Sequence, residues 1–303
     1  MRTRTGRRRL FERRGLTTLS LNGRGTNGRE PARRRAFAND PEITVTDIWL
    51  RRLAPAHDGL RIVHLTDIHH SLFTPIEEVE RAVQLANREH PDLVALTGDY
   101  VTFSPDYISP MAQALGKLRA RLGVYAVLGN HDFQVDAERV TRALRAHDIQ
   151  VLRNAHRAVR EGGSRLWLVG VDDIWSGADD LPFALRSVPA ADPKILLCHN
   201  PLGIRRAAAY GIDFMLSGHT HGGQVRLPLV GSVHGRSKLG ERFIDGWNRF
   251  EDTQIYVNRG IGKVVVPVRV GCPPEIACLR LRQAGATRSV AEWSDSHRVS
   301  ISA

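Results

Sequence analysis

Five short stretches of this 303-residue chain carry oxygen and nitrogen donors in patterns that bind divalent cations. "TDIHH" offers Asp67 and His69, "TGDY" offers Asp99, and "GNHD" offers Asn130, His131 and Asp132. "CHNP" adds His199, and "SGHTHGGQ" adds His219 and His221. Carboxylate, imidazole and amide oxygen together suit Mn, Fe, Zn or Co better than Ca or a thiolate-seeking metal. A carboxylate can bridge two cations and an imidazole cannot, so seven ligands with one shared aspartate would serve two ions about 3.5–4 Å apart. Alternate side chains of an extended segment face one way. This parity predicts that Asp67 and His69 grip one ion, and it leaves His219 and His221 free to serve different ones. Gly222 and Gly223, lacking Cβ, are expected to let the backbone pass close to the metals and to a phosphate.

Taken singly, these matches mean little, because an isolated D-x-H or G-D arises by chance and most such histidines are ordinary core or surface imidazoles. Their placement matters more. Residues 60–67, 92–99 and 123–132 read as strands, and each ends in one of the clusters. Residues 43–50 form a further strand ahead of them. Helices are predicted over 74–90, 107–122 and about 135–147. In the first, Thr74 caps, Pro75 takes the first helical position and Glu77 closes a capping box. Ile76, Val79, Val83 and Ala86 give that helix an apolar stripe. Later strands are expected at 149–152, 165–171, 194–198, 212–216, 224–227, 254–258 and 275–281, with a short helix at 202–210. This alternation implies a layered α/β fold. Ligand crevices of open α/β sheets lie at the carboxyl ends of strands, so the donors can converge there.

The net charge of +11 sits almost wholly in a tail. Residues 1–35 hold twelve arginines against Glu12 and Glu30, a charge of +10, and the rest of the chain is near neutral. The expected organisation is a basic, disordered tail over 1–41, one domain over 42–282 and a polar C-terminal tail over 283–303. A near-neutral body argues against a nuclease, which needs a basic channel. The tail could instead meet an anionic membrane surface. "RRLFER" followed by "AFA" resembles a twin-arginine export start, but "LTTLSL" is short for the apolar region between them. The expected location is the cytoplasm or the periphery of the cytoplasmic membrane, with export through this degenerate start as the alternative. Cys198, Cys272 and Cys278 form no C-x-x-C and read as buried thiols.

The ordered set D-x-H, G-D, G-N-H-D, H and G-H-x-H resembles the calcineurin-like metallophosphoesterases. The wording of "LTDIHH", "LGNHD", "LCHNP", "NRGIG" and "PVRVGCPPEIACLRL" is similar to a bacterial branch of exported or membrane-associated phosphodiesterases that includes UDP-diacylglucosamine hydrolases. The resemblance spans about residues 43–282 and implies a four-layer α-β-β-α sandwich. It implies that Asp67, His69, Asp99 and His221 hold one ion, and that Asp99, Asn130, His199 and His219 hold the other.

On this reading a metal-bridging hydroxide attacks phosphorus in line, on a phosphodiester or pyrophosphate of a lipid-linked or nucleotide-linked substrate. His131 stabilises the transition state or protonates the leaving oxygen. Asp132 orients His131 or a ligand imidazole, or simply starts a helix. The alternatives are a phosphomonoesterase or phosphoprotein phosphatase on the same core, and a non-catalytic metal-binding protein at a membrane surface. His64 reads as core, His70 as structural, and Asp172 and Asp173 as turn residues. The loops 103–110 and 227–243, the latter with Arg236, Lys238 and Arg242, offer apolar and basic groups beside the cleft.

Overall fold

Strands β1 (Glu42–Leu50), β2 (Arg61–Leu65), β3 (Leu93–Thr97) and β4 (Val124–Val127) alternate with helices α1 (Ile76–Arg88) and α2 (Ile108–Leu115) in a computed structural model that describes residues 40–227, 231–232 and 243–285. There follow α3 (Asn130–Val135), α4 (Ala137–Arg145), β5 (Gln150–Val151), β6 (Ala155–Glu161), β7 (Ser164–Gly170), α5 (Leu181–Ala184), β8 (Lys194–Leu197), α6 (Ile204–Ala209) and β9 (Phe214–Ser217). The short β10 (Arg226–Leu227) and β11 (Gly231–Ser232) pair with each other. The chain ends its regular structure with β12 (Gly246–Phe250), β13 (Thr253–Val257) and β14 (Glu275–Gln283).

Two six-stranded sheets result, in the orders β1-β14-β2-β3-β4-β5 and β12-β13-β9-β8-β7-β6. Runs such as "RIVHL" and "LVALT" are apolar almost throughout because both faces of each sheet are covered. Their period-2 alternation then sorts side chains between layers. Val63, Leu65, Val94, Leu96 and Ala126 pack with Val79, Met111 and Leu144 of the helices. Ile62, Leu93, Ala95 and Val127 point the other way and meet Leu168, Ile195, Leu197, Phe214 and Leu216 of the second sheet. Val169, Leu196, Met215 and Ile255 of that sheet face Leu181, Ile204 and Ala207 of α5 and α6. Three apolar interlayers make four layers, the α-β-β-α sandwich that the resemblance implies.

Several local expectations need correction. α1 starts at Ile76 with Pro75 as its N-cap, and no side chain caps it. Thr74 is engaged elsewhere, in a tight turn with Ser71 and as acceptor of the Lys263 amide at 3.1 Å. The helix expected over 107–122 stops at Leu115, where Gly116 lies against His147 with no room for a Cβ. The helix expected at about 135–147 is present as α4, whose N-cap Asp136 accepts the Arg139 amide, and α3 is an additional short helix before it. Besides the short β11, β6 and β12 are additional to the strands expected from the sequence. They are the edge strands of the second sheet, and their half-exposed, polar residues carry little apolar signal. Residues 1–39, most of the loop 227–243 with its Arg236, Lys238 and Arg242, and the tail from 286 lie outside the described residues. Among the described residues, no helix is long and apolar enough to cross a membrane.

Candidate metal centre

β2, β3, β4, β8 and β9 all present their carboxyl ends to one end of the sandwich, and the donors follow within a few residues. Asp67 and His69 come after β2, Asp99 after β3, Asn130 and His131 after β4, His199 after β8, and His219 and His221 after β9. The segments are not extended there. Asp67, His69, Asp99, His219 and His221 have φ of 50, 45, 55, 71 and 52°, in the left-handed region. The parity argument for Asp67 and His69 is therefore wrong in detail, and sharp turns aim each side chain inward instead. Such conformations cost roughly 1–3 kcal/mol each and gather at functional sites.

The seven residues fall into two adjoining sets. In one, His69 Nε2 lies 2.9 Å from His221 Nε2, and Asp67 Oδ1 lies 3.3 Å from His221 Nε2 and 3.7 Å from His69 Nε2. In the other, His219 Nδ1 lies 3.0 Å from Asn130 Oδ1 and 3.1 Å from His199 Nε2. Asp99 Oδ2 touches both, 3.5 Å from His69 Nε2 and 3.1 Å from His199 Nε2. The His131 amide donates to Asp99 Oδ1 at 2.9 Å, and its half-buried ring stands edge-on to His69 with centroids 4.9 Å apart. The exposed Trp175 meets the His219 ring at 4.2 Å between centroids.

The surroundings fix these rings. His199 Nδ1 donates to the Thr97 carbonyl at 2.7 Å, which turns Nε2 toward Asp99. His69 Nδ1 shares a 2.6 Å hydrogen bond with Thr102 Oγ1. Asp67 accepts the His219 amide at 2.9 Å. Asp132 makes no hydrogen bond to an imidazole among the described residues. Its carboxylate accepts the amides of Asp99, Tyr100 and Gly129 at 2.8–2.9 Å, which ties down the start of α3 and holds the turn that presents Asp99. Gly129 and Gly218 lie so close to the Asp99 and Asp67 carboxylates that neither position has room for a Cβ. Gly222 is also required by packing. A Cβ there would meet Arg259 Cγ at 2.6 Å and Cys272 Sγ at 2.8 Å, so its absence accommodates those side chains.

The electrostatics favour added positive charge. Burial raises the Asp67 carboxyl, but His221, His69 and His199 outweigh it and hold it well below the usual range. Asp99 is likewise held low, against burial, by His199 and His69. Desolvation would lower His199, yet Asp99 and Asp67 push it up to about 10. Desolvation brings His219 down to about 4 and takes His221 well below its ordinary value. Burial, then the Asp99 carboxylate, raises the Asp132 carboxyl to about 7 against its amide donors. Carboxylate oxygens and imidazole lone pairs so close together repel unless positive charge lies among them. The donor set fits divalent cations: the ligand atoms of Asp67, His69 and His221, and those of Asp99, His199 and His219, lie within 4.8 Å of one another, as do those of His69, Asp99 and His131.

Residues 60–223 match the family model described as calcineurin-like phosphoesterase. The chain belongs to that family. The phosphoesterase is 34% identical over 228 residues to Phosphodiesterase YaeI of Escherichia coli K12, covering 73% of this chain and 82% of that one. It is 32% identical over 229 residues to the metallophosphoesterase YkuE of Bacillus subtilis, covering 74% and 80%. It is 33% identical over 263 residues to a Bos taurus transmembrane protein with metallophosphoesterase domain, covering 82% of this chain and 58% of that one. Among solved structures, the TT1561 protein of Thermus thermophilus gives a TM-score of 0.46 at 14% identity, covering 67% and 90%. Membership makes the phosphoesterase a metal-using phosphoester hydrolase.

Outside the donor sets, His64 is core and His70 structural, bonded to the Thr74 carbonyl and packed on Tyr107. Asp172 pairs with Arg153, and Asp173 caps the turn at Ser176. Cys198, Cys272 and Cys278 are free and buried. Sequence reasoning missed Thr102, Trp175 and Arg269. The Arg269 guanidinium reaches the Gly262 and Arg259 carbonyls at 2.7 and 2.8 Å and lies 3.3 Å from His221 Nδ1. A lone arginine inside "VVVPVRV" was its one visible signal.

Proposed function

We propose that the chain is a two-metal hydrolase of phosphodiester or pyrophosphate bonds. The supporting observation is the position of Asp99 Oδ2 between His69 Nε2 and His199 Nε2, at 3.5 and 3.1 Å, which makes it a member of both donor sets. Asp67, His69, Asp99 and His221 would hold one ion, and Asp99, Asn130, His199 and His219 the other. Mn, Fe, Zn and Co all suit these donors. Divalent ions held there supply Lewis-acid polarisation of phosphoryl oxygens and lower the pKa of bound water.

The chain's own groups do the rest. His131 is the catalytic residue outside both sets. Its ring makes no hydrogen bond among the described residues, so it is free to donate to a phosphoryl or leaving oxygen. Asp132 is a positioning residue that fixes Asp99 through the backbone. Trp175, beside His219, offers a flat apolar face to a leaving group such as a nucleoside or a lipid-linked sugar.

Diesters are favoured over monoesters by charge. A monoester dianion calls for extra cations, yet the basic groups on the surrounding described loops are already engaged: Arg226 with Asp245, Arg259 with Glu42 and Glu275, Lys263 with Glu78, and Arg269 with carbonyls. The phosphodiesterase name of the Escherichia coli relative agrees with this preference. The test is metal analysis of purified protein together with hydrolysis of bis-p-nitrophenyl phosphate and p-nitrophenyl phosphate, with Mn and with chelator. Two metals per chain and faster diester turnover are expected. Turnover indifferent to chelator, or confined to the monoester, would overturn the reading.

A further inference from the structure

The donor cluster draws on both sheets. Asp67, His69, Asp99 and Asn130 follow strands of the first sheet, and His199, His219 and His221 follow strands of the second. The join between the sheets is aliphatic, with Ile62, Leu93, Ala95 and Val127 packed on Leu168, Ile195, Phe214 and Leu216. Apolar burial is non-directional, so such a layer keeps the sheets together without fixing how far one slides along the other. A metal constellation must be held to about 0.5 Å. Setting that register takes directional contacts, and hydrogen bonds are directional.

The stretch "NRGIG", residues 258–262, supplies them. Asn258 follows β13 of the second sheet and is wholly buried. Its backbone amide donates to the Ser217 carbonyl at 2.9 Å, at the end of β9 and two residues before His219. Its Nδ2 donates across the join to the His64 carbonyl of β2 at 2.8 Å, three residues before Asp67. Its Oδ1 accepts the Gly260 amide at 2.8 Å, which fixes the orientation of the side chain. The chain then follows the first sheet, and the amides of Ile261 and Gly262 donate to the Thr66 and Asp67 carbonyls at 3.1 and 2.7 Å. The seating is close. A Cβ at Gly260, whose φ is 74°, would lie 2.5 Å from Asp67 Cβ, and one at Gly262 would lie 2.2 Å from the Ile68 carbonyl oxygen.

We propose that Asn258 is a positioning residue for the metal pair: bonded to Ser217 on one sheet and to His64 on the other, it sets the register in which the seven donors meet. The inference rests on the two-metal reading above. The ion assigned to Asp99, Asn130, His199 and His219 takes half its donors from each sheet, whereas the other takes only His221 from the second sheet. Loss of the tie should therefore weaken the former more. A second tie on the same strand provides the comparison. Gln254 Nε2 donates to the Trp49 carbonyl of β1 at 2.7 Å, joining the same two sheets through the same chemistry. Gln254 pairs with Phe214 at the start of β9, so this tie lies at the end of the strands remote from the donors.

The test is electron paramagnetic resonance of the full chain loaded with Mn, with Mn content and affinity measured alongside. Mn ions that share a carboxylate give an exchange-coupled spectrum, and single ions give the hyperfine pattern of isolated Mn. The wild type should show coupling. Asn258→Ala and Asn258→Asp should lose it, and their affinity for the second Mn should fall about 10–100-fold. Asn258→Asp keeps an acceptor for the Gly260 amide but sets a carboxylate against the His64 carbonyl, so it isolates the cross-sheet donor. Gln254→Ala should lower the melting temperature yet keep the coupling and the Mn affinity of the wild type. Hydrogen exchange of the wild type needs no variant to fold: Mn should slow the Ile261 and Gly262 amides about tenfold or more and leave those of β12 unchanged. Coupling and affinity unchanged in either Asn258 variant would overturn the proposal. So would an equal loss in Gln254→Ala, or exchange at Ile261 and Gly262 that ignores Mn. A wild type that binds fewer than two Mn ions would overturn the two-metal reading and this inference with it, whereas a coupled wild type with unaltered Asn258 variants would overturn this inference alone.

Discussion

The Asp132 carboxylate accepts the backbone amide of Asp99 at 2.8 Å, so one acid holds the other in place without touching its side chain. The same carboxylate receives the Gly129 and Tyr100 amides. Asp132→Asn turns one acceptor atom into a donor facing an amide, and leaves a buried N–H unpaired. The expected cost is about 1–3 kcal/mol of stability, measured by urea unfolding. Metal affinity should fall about 10–100-fold as Asp99 loosens, measured by competition with a chromophoric chelator. An unchanged metal affinity would separate Asp132 from the site.

His131 stands beside His69 but outside both donor sets. His131→Ala should retain the wild-type metal content while kcat on bis-p-nitrophenyl phosphate drops about 10²–10⁴-fold. Loss of metal along with activity would make His131 a ligand, and unchanged kcat would remove it from the chemistry.

Exhaustive chelation should abolish hydrolysis, and added Mn should restore it. Because the donor sets exist only in the folded chain, metal at about 100 times its Kd should stabilise the fold by about 2.7 kcal/mol. The check is the melting temperature with and without Mn. Equal values would mean that the cluster does not bind the ion.

Arg269 fills its place with a planar fork bonded to the Arg259 and Gly262 carbonyls. Lysine cannot reproduce that fork. Arg269→Lys should destabilise the chain by about 1–3 kcal/mol through unpaired carbonyls. It should also raise KM more than it lowers kcat, because the strap beside His221 loosens while the donor atoms remain. Steady-state kinetics and urea unfolding together decide this.

Burial raises all three thiols, Cys198 and Cys278 to about 12. A raised pKa leaves little thiolate at mildly alkaline pH, and reactivity grows only as pH climbs toward that value. Ellman's reagent should label almost no thiol in the native protein and three in denaturant. Rapid native labelling would contradict the burial of these residues.

The sequence by itself determined the layers and the donors. The succession of apolar strand runs such as "RIVHL" and "LVALT" with helical stripes is local, and so is the choice of Asp, His and Asn at strand ends. Both can be read without knowing what lies across the sheet. The edge strands β6 and β12 were not legible, because an edge is defined by a missing neighbour and not by residue type. The short α3 ahead of α4 and the end of α2 at Leu115, where Gly116 meets His147, go with local capping and a tertiary contact that helical periodicity does not report. Tertiary structure alone decided how the donors are aimed. Left-handed turns at Asp67, His69, Asp99, His219 and His221 replace the extended parity the spacing suggested. Contacts between residues far apart in the chain, Thr102 with His69, Thr97 with His199 and Arg269 with the His221 loop, fix the rings. Spacing records which side chains are available, whereas orientation depends on through-space contacts that exist only once both sheets have met.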